Sequence, residues 1–201
     1  MITIVDYGMG NVGSICNMFK RIGTNVEVTS DVARIAAARK LLLPGVGAFD
    51  AAMSRIQECG LRDVLERKAL HERIPVLGIC LGMQLLTRSS EEGKLPGLGW
   101  VNATTRRFPM SRNLPVPHMG WNLVRPGPRS CLTEGLGDEP RFYFVHSYYV
   151  RMDDQAKAIL TTTYGIPFDA ALQDGNIYGA QFHPEKSHRF GMQLLRNFSN
   201  L

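Results

Sequence analysis

Three residue types in this sequence could together perform nucleophilic chemistry, and the first is Cys80. It stands inside Pro75–Gln84, P-V-L-G-I-C-L-G-M-Q, with Gly78 two residues before it and Gly82 two after. Val76–Ile79 reads as a short buried strand, and Leu81 to Thr87 reads as the start of a helix. A nucleophile on a sharp strand-to-helix turn has this layout, because small flanking residues permit the tight backbone path. The turn lifts the side chain to the top of a sheet, beside the free N–H groups and positive end of the helix. A cysteine there is expected to have a lowered pKa and to be partly thiolate, the form that attacks. The alternative is an inert cysteine buried in a strand, a common fate for a free thiol.

A cysteine nucleophile needs a base, and the base needs a third group to hold its tautomer and orientation. Gln181-Phe182-His183-Pro184-Glu185-Lys186 offers both at the end of a late strand. Pro184 holds His183 extended. Residues i and i+2 share a face in an extended segment, so Glu185 is expected to reach the imidazole. The competing reading is a surface histidine beside a solvated glutamate. His71, His118, His146 and His188 have no carboxylate two residues on.

The elements needed to position these groups follow from the pattern. Ile2–Asp6, Asn25–Thr29, Lys40–Leu43 and Val76–Ile79 read as continuous apolar strands. Helices at Ser14–Ile22, Val32–Arg39, Asp50–Gln57 and Leu61–His71 alternate with them, and Asp31 is a helix cap. Such alternation predicts a parallel, doubly wound α/β sheet with its site at the carboxyl ends of the strands. The loop Pro44-Gly45-Val46-Gly47-Ala48-Phe49 should lie at the same edge as Cys80. Gly8, Gly10 and Gly13 spell G-x-G-x-x-G after the first strand, with Asp31 at about the distance an acidic ribose partner would need. A strand-to-helix turn that requires glycine is the simpler reading. After Ser89 the texture becomes β-rich: Trp100–Phe108, Val116–Val124, Phe142–Val150 and Ala158–Tyr164 read as strands. Phe168–Gln173 and Ile177–Phe182 flank Asp174-Gly175-Asn176, a hairpin signal. His188–Phe198 closes the chain as a helix. The whole is expected to be one domain, residues 1–201.

Composition limits the function classes. With 201 residues, 44% apolar, the chain can build one ordinary core. No apolar run is long enough to span a bilayer, and the start lacks the features of a signal peptide. No membrane partner is expected, and a cytosolic location is. The four cysteines, Cys16, Cys59, Cys80 and Cys131, are far apart without a C-x-x-C pair. That argues against a metal site and against a disulfide framework. The net charge of +5 is modest and its arginines are scattered. A solvated face is favoured over nucleic-acid binding, though a basic rim would suit an acidic protein partner or a phosphorylated ligand.

G-I-C-L-G-M-Q at 78–84 and H-P-E at 183–185 resemble the class I, or triad, glutamine amidotransferases, with P-G-V-G at 44–47 in the place of the oxyanion loop. The resemblance covers nearly the whole chain and implies that family's flavodoxin-like fold: a mostly parallel sheet flanked by helices, here with a β-rich second half. Tyr7–Asn11, Val116–Asn122 (V-P-H-M-G-W-N), Phe144–Tyr149 (F-V-H-S-Y-Y) and the final H-P-E-K-S are similar to the family branch that forms glutaminase subunits of imidazole glycerol phosphate synthases. The tail K-S-H-R-F-G resembles a paralogous branch that supplies ammonia to a sugar amidotransferase for surface polysaccharides. A stand-alone cysteine hydrolase is a third reading, disfavoured by H-P-E together with P-G-V-G and P-H-M-G-W-N.

The resemblance implies hydrolysis of the L-glutamine side-chain amide to glutamate and ammonia, without a cofactor. Cys80 would be the nucleophile, His183 the acid and base, and Glu185 its orienter. Leu81, Val46 and Gly47 would supply oxyanion N–H groups. Gly45, Gln84, Glu92, Ser147 and Tyr148 would bind substrate, Glu92 at the ammonium and Ser147 and Tyr148 at the carboxylate. Ammonia in neutral water becomes ammonium and loses its nucleophilicity, so a partner should dock over the mouth. In the family branch that partner is a TIM-barrel cyclase, forming a heterodimer that makes imidazole glycerol phosphate and AICAR from PRFAR in histidine biosynthesis. Asn11, Trp121, Asn122 and Lys186 are the candidate docking residues. Trp121 as an interface anchor competes with Trp121 as a core residue.

Overall fold

Runs such as I-T-I-V and V-L-G-I are too short for helices and too apolar to face water, so they are covered on both faces. The computed structural model describes residues 1–109 and 114–201. In it, β1 (Ile2–Val5), β2 (Val26–Thr29), β3 (Leu41–Leu43) and β4 (Val76–Ile79) are parallel. The late strand β12 (Ile177–Ala180) joins them, parallel to β4 with Ala180 opposite Ile79. β11 (Ile166–Asp174), β10 (Ala158–Tyr164) and the short β7 (Arg125–Pro126) then run antiparallel. The order across the eight strands is β2-β1-β3-β4-β12-β11-β10-β7.

Period-two alternation sends side chains to two cores. Ile2, Ile4, Leu42, Leu77 and Ile79 meet Ile15 and Phe19 of α1 (Val12–Arg21) and Leu194, Leu195 and Phe198 of α6 (His188–Asn200). Val5, Leu41, Leu43 and Val76 meet Ile35 of α2 (Val32–Ala36), Ile56 of α3 (Phe49–Glu58) and Leu65 of α4 (Arg62–Glu66) on the other face. Among the described residues no helix is long and apolar enough to cross a membrane.

Several boundaries differ from the sequence reading, each for a local reason. Helix α1 begins at Val12 rather than Ser14, because Asn11 caps it by accepting the Ser14 N–H. Leu61–His71 is not one α-helix: past Glu66 the chain widens into a π-turn, Arg67–His71, closed by the Glu72 N–H to the Arg67 carbonyl at 2.9 Å. The helix after Cys80, α5 (Leu81–Leu85), stops short of Thr87. Trp100 and Val101 are not in a strand, since their N–H groups donate to the Leu86 carbonyl just past α5. The strand β5 starts at Ala103 and runs to Arg107.

Phe142–Val150 is two strands rather than one. β8 (Arg141–His146) pairs with β6 (His118–Leu123), whereas β9 (Tyr148–Met152) pairs with β5. The break at Ser147 lets one segment serve two ribbons, and the Phe108 N–H donates to its carbonyl at 3.2 Å. The expected hairpin is present: Asp174 faces Ile177 across Gly175-Asn176, with Gly175 at φ 59°.

Helix α5 lies hard against the sheet. A Cβ on Gly82 would lie 1.9 Å from the Leu43 carbonyl oxygen. Backbone on both sides leaves little room to relax, so Gly82→Ala should destabilise the protein by about 3 kcal/mol. Urea unfolding checks this, and a loss under about 0.5 kcal/mol would contradict the close packing.

Candidate active site

The elbow is built by steric exclusion. Cys80 has φ 53° and ψ −110°, a region that costs a non-glycine residue strain and persists only where the surroundings impose it. A Cβ on Gly78 would sit 2.5 Å from the Gly82 carbonyl oxygen, so α5 can fold back over β4 only with glycine there. The Cys80 N–H donates to the Ala180 carbonyl at 2.7 Å, tying the elbow to the end of β12. Cys80 is 6% exposed, at the floor of a cavity.

The loop after β3 is pressed onto the same elbow. Gly45 is buried, and a Cβ there would lie 2.7 Å from the Leu81 Cβ. Gly45 therefore packs beneath the loop and is not among the cavity-lining residues, unlike the sequence expectation of a substrate contact. Val46 and Gly47 do line the cavity with Leu81. The buried Tyr7 hydroxyl donates to the Pro44 carbonyl from below. Burial, with Cys80 adding to it, pushes the Tyr7 phenol up, so it stays a donor. Gly8 and Gly10 have positive φ, while Gly13 lies within α1. The turn needs its glycines for backbone reasons, and Asp31 is engaged in capping α2 through the Arg34 N–H.

His183 continues from β12. Its N–H donates to the Tyr143 carbonyl at 2.9 Å, and the Ser187 hydroxyl donates to its carbonyl at 2.6 Å. His183 itself is extended, as Pro184 requires. The residues after it are not: Pro184–Lys186 form a 3₁₀ turn. Glu185 reaches the ring because the chain doubles back, not because i and i+2 share a strand face. The two side chains are 3% and 2% exposed, and the His183 Nδ1–H donates to Glu185 Oε1 at 2.8 Å. A carboxylate only accepts, so Nδ1 carries the proton and Nε2 is presented on the other side. Nε2 and Glu185 Oε2 are buried without a hydrogen-bond partner. Burial lowers the imidazole, but Cys80 and Glu185 outweigh it and raise the pKa from 6.5 to about 9.

The cavity above Cys80 encloses about 340 Å³. Gln84, Glu92, Ser147 and Tyr148 line it along with Val46 and Gly47, together with Pro117, Val145 and His146. Glu92 Oε2 accepts the Phe49 N–H at 3.1 Å. Burial raises its pKa, the Phe49 bond opposes, and Asp50 adds to the rise. Asp50 pins the loop carrying Glu92 by accepting the Lys94 and Leu95 N–H groups. Gln84 is partly committed within the protein: its Nε2 donates to the Tyr148 carbonyl and to Gln181 Oε1, both at 3.1 Å.

Sequence reasoning missed Gln181 and the histidine pair. Gln181 Nε2 donates to Cys80 Sγ at 3.8 Å. Its place two residues before His183, at the end of the same strand, was the available signal. Nothing in the spacing joins His118 to His146, which meet only because β6 and β8 pair.

The candidate docking residues separate. Trp121 is on the surface rather than in the core, 46% exposed between Met119 and Leu123, both also exposed. Lys186 Nζ lies over the Tyr143 ring at 5.6 Å, and the Trp121 ring packs edge-on against that same ring. Asn122 alternates inward and donates to the Thr163 carbonyl at 3.0 Å. Asn11 is exposed and caps α1.

The chain matches the class I glutamine amidotransferase family over residues 3–200. It is 54% identical over 198 residues to imidazole glycerol phosphate synthase subunit HisH 2 of Methanococcus maripaludis, covering 98% of each chain. It is 48% identical over 207 residues to subunit HisH of Bdellovibrio bacteriovorus, covering all of both. Among solved structures, it superposes on a glutamine amidotransferase with a TM-score of 0.75 at 20% identity over the full length of both chains. A GMP synthase component from Thermoplasma acidophilum gives 0.73 at 19% identity, covering 99% of this chain and 92% of that one. Sequence match and shared architecture agree that the chain belongs to the class I glutamine amidotransferases.

Proposed function

We propose that this chain is the glutaminase subunit of an imidazole glycerol phosphate synthase of histidine biosynthesis, hydrolysing L-glutamine to glutamate and ammonia for a cyclase partner. The observation that carries the chemistry is the convergence of Cys80, on its strained elbow, with a His183 whose Nδ1–H is held by Glu185 and whose ring the Cys80 sulfur meets closely enough to raise its pKa. The names of the relatives carry the choice of synthase, and disfavour a sugar amidotransferase as acceptor. The cytoplasm is the expected compartment for such a biosynthetic enzyme.

A His183 pKa of about 9 keeps the imidazole protonated at neutral pH. That charge faces the sulfur and holds the proton that the leaving group needs. Cys80 Sγ attacks the amide carbon of glutamine, and the carbonyl π electrons move onto oxygen. The N–H groups of Leu81 and of Val46 or Gly47 meet that oxyanion, where charge develops only in the transition state. Leu81 opens α5, so its N–H has no acceptor within the helix. The C–N bond breaks as His183 Nε2–H protonates the nitrogen, releasing ammonia and a thioester. Neutral His183 then takes a proton from water, whose oxygen attacks the thioester carbonyl; glutamate leaves and the cysteine is restored.

Glu92, Ser147 and Tyr148 line the cavity, with Glu92 assigned to the substrate ammonium and Ser147 and Tyr148 to its carboxylate. Gln84 holds the Tyr148 rim through its bond to that carbonyl. The exposed row Met119, Trp121 and Leu123, with Lys186 over the Tyr143 ring that Trp121 also packs against, suits a TIM-barrel cyclase docked as a heterodimer. Docking there would carry ammonia away from water.

Cys80→Ala should abolish ammonia release from glutamine in the reconstituted complex while leaving the affinity for the cyclase unchanged; residual turnover near the wild-type rate would exclude Cys80 as nucleophile. Glu185→Gln should also expose the linkage of His183 to stability. The folded pKa is raised, so its stabilisation is complete below the unfolded value of 6.5 and is lost as pH rises through about 9. The variant's loss should therefore be about 2 kcal/mol near pH 6 and should shrink toward pH 10. Urea unfolding across that range measures it, and a penalty growing with pH would contradict the sign. Trp121→Ala should weaken cyclase affinity at least about tenfold, as a buried aromatic anchor does. Calorimetric titration reads this, and unchanged affinity would remove Trp121 from the interface.

A further inference from the structure

Two buried histidines outside the Cys80–His183–Glu185 group lie on a continuous line of hydrogen bonds that ends at the nucleophile. His118 and His146 are 3% and 6% exposed and are register partners of β6 and β8. The His146 Nδ1–H donates to the Tyr148 carbonyl at 2.7 Å, and the His118 Nδ1–H donates to His146 Nε2 at 3.0 Å. Asn122 Nδ2 donates toward His118 Nε2 at 3.4 Å. Beyond Tyr148, Gln84 Nε2 donates to the same carbonyl and to Gln181 Oε1, and Gln181 Nε2 donates to Cys80 Sγ. Asn122, the outer end, sits between the exposed Trp121 and Leu123.

The direction of every bond follows from one end. A carbonyl can only accept, so His146 must carry its proton on Nδ1. Its Nε2 is then an acceptor, which requires the Nδ1–H tautomer of His118 as well. Burial holds both rings neutral, His118 at about 4 and His146 at about 3. The line is thus a strut rather than a proton path at neutral pH. His118 is clamped as a strut should be, stacked between Phe144 at 4.8 Å and Tyr164 at 4.0 Å, each tilted by 23°. At the inner end the polarity has a chemical consequence. With both N–H groups of Gln84 taken, Gln181 must turn its oxygen toward Gln84 and its NH₂ toward the sulfur. A flipped Gln181 would set an oxygen, rather than a donor, against the sulfur.

We propose that His118 and His146 are positioning residues for Cys80: by fixing the Tyr148 carbonyl they orient the Gln84 and Gln181 amides so that an N–H donor faces the nucleophilic sulfur. This rests on Cys80 being the nucleophile of the reaction above. The carbonyl needs both of its donors to stay in place, and His146 supplies the shorter of the two bonds.

The test is alkylation of Cys80 by iodoacetamide in the full-length protein at pH 7.5, followed by peptide mass spectrometry, which needs neither glutamine nor a partner. His118→Phe keeps the stacked ring and deletes the donor; the Cys80 rate should fall about tenfold, the cost of leaving a buried acceptor unpaired. His118→Asn puts an amide N–H close to where Nδ1 stands and should stay within about threefold of wild type. Imidazole ¹⁵N shifts of the wild-type protein supply an arm independent of any variant's folding: His118 and His146 should both show protonated Nδ1 and bare Nε2. Wild-type rates from His118→Phe, equal losses in both variants, or an Nε2–H tautomer at His146 would each overturn the proposal. A wild-type Cys80 no more reactive than the exposed Cys59 and Cys131 would instead count against the glutaminase reading, leaving the tautomers to decide the strut.

Discussion

The parallel pairing of β12 with β4 is the constraint from which the site follows. It sets two strand ends side by side that are about a hundred residues apart in the chain, with Ala180 opposite Ile79. The next residue on one strand is then Cys80, and the next on the other is Gln181, which donates to the sulfur. Two positions further lies His183. Because the Cys80 N–H is bonded to the Ala180 carbonyl, a one-residue slip would move the imidazole to the other face and part it from the thiol. Register, set by the apolar burial of Ile177, Leu77 and Ile79, thus becomes the geometry of the candidate site.

A second consequence of that pairing is electrostatic. His183 and Glu185 are 3% and 2% exposed at that edge, so their ionisable groups are largely removed from water. Burial alone would strip the proton from His183. The carboxylate of Glu185 and the sulfur of Cys80 reverse that preference, which is why the two facing ring atoms matter more than either partner singly. Glu185 lies as deep as the ring it supports, so removing it would leave a buried charge without its counterpart. Burial on the β6–β8 ribbon holds His118 and His146 neutral, since neither has a carboxylate partner. Three buried imidazoles therefore differ in protonation through their neighbours alone.

Much of this was legible because local chemistry announced it. Glycines two before and two after a cysteine, between an apolar run and a helix start, describe an elbow, and the structure has one with Cys80 at φ 53°. H-P-E carried the imidazole and its carboxylate, although the reason differed: a 3₁₀ turn, not a shared strand face, closes the pair. What stayed illegible depends on strand partners. F-Y-F-V-H-S-Y-Y-V reads as one β-run, and only the competing pairings of β6 and β5 show that it must break at Ser147. His118 and His146 stand in the strings V-P-H-M-G-W-N and F-V-H-S-Y-Y, but nothing in either string joins them, because their relation exists only across that ribbon. Gly45 lies beside two cavity-lining residues, and its close packing under Leu81, which excludes any side chain, is a demand that only the folded loop reveals.

The central claim is that one sulfur among four does the chemistry, and covalent trapping by an electrophilic glutamine analogue tests it most directly. A chloroketone carrying the glutamine backbone, added at equimolar amount to the complex, should modify Cys80 alone, with excess glutamine protecting it. Modification spread over Cys16, Cys59 and Cys131, or unaffected by glutamine, would show that the cavity above Cys80 is not where the substrate amide is attacked.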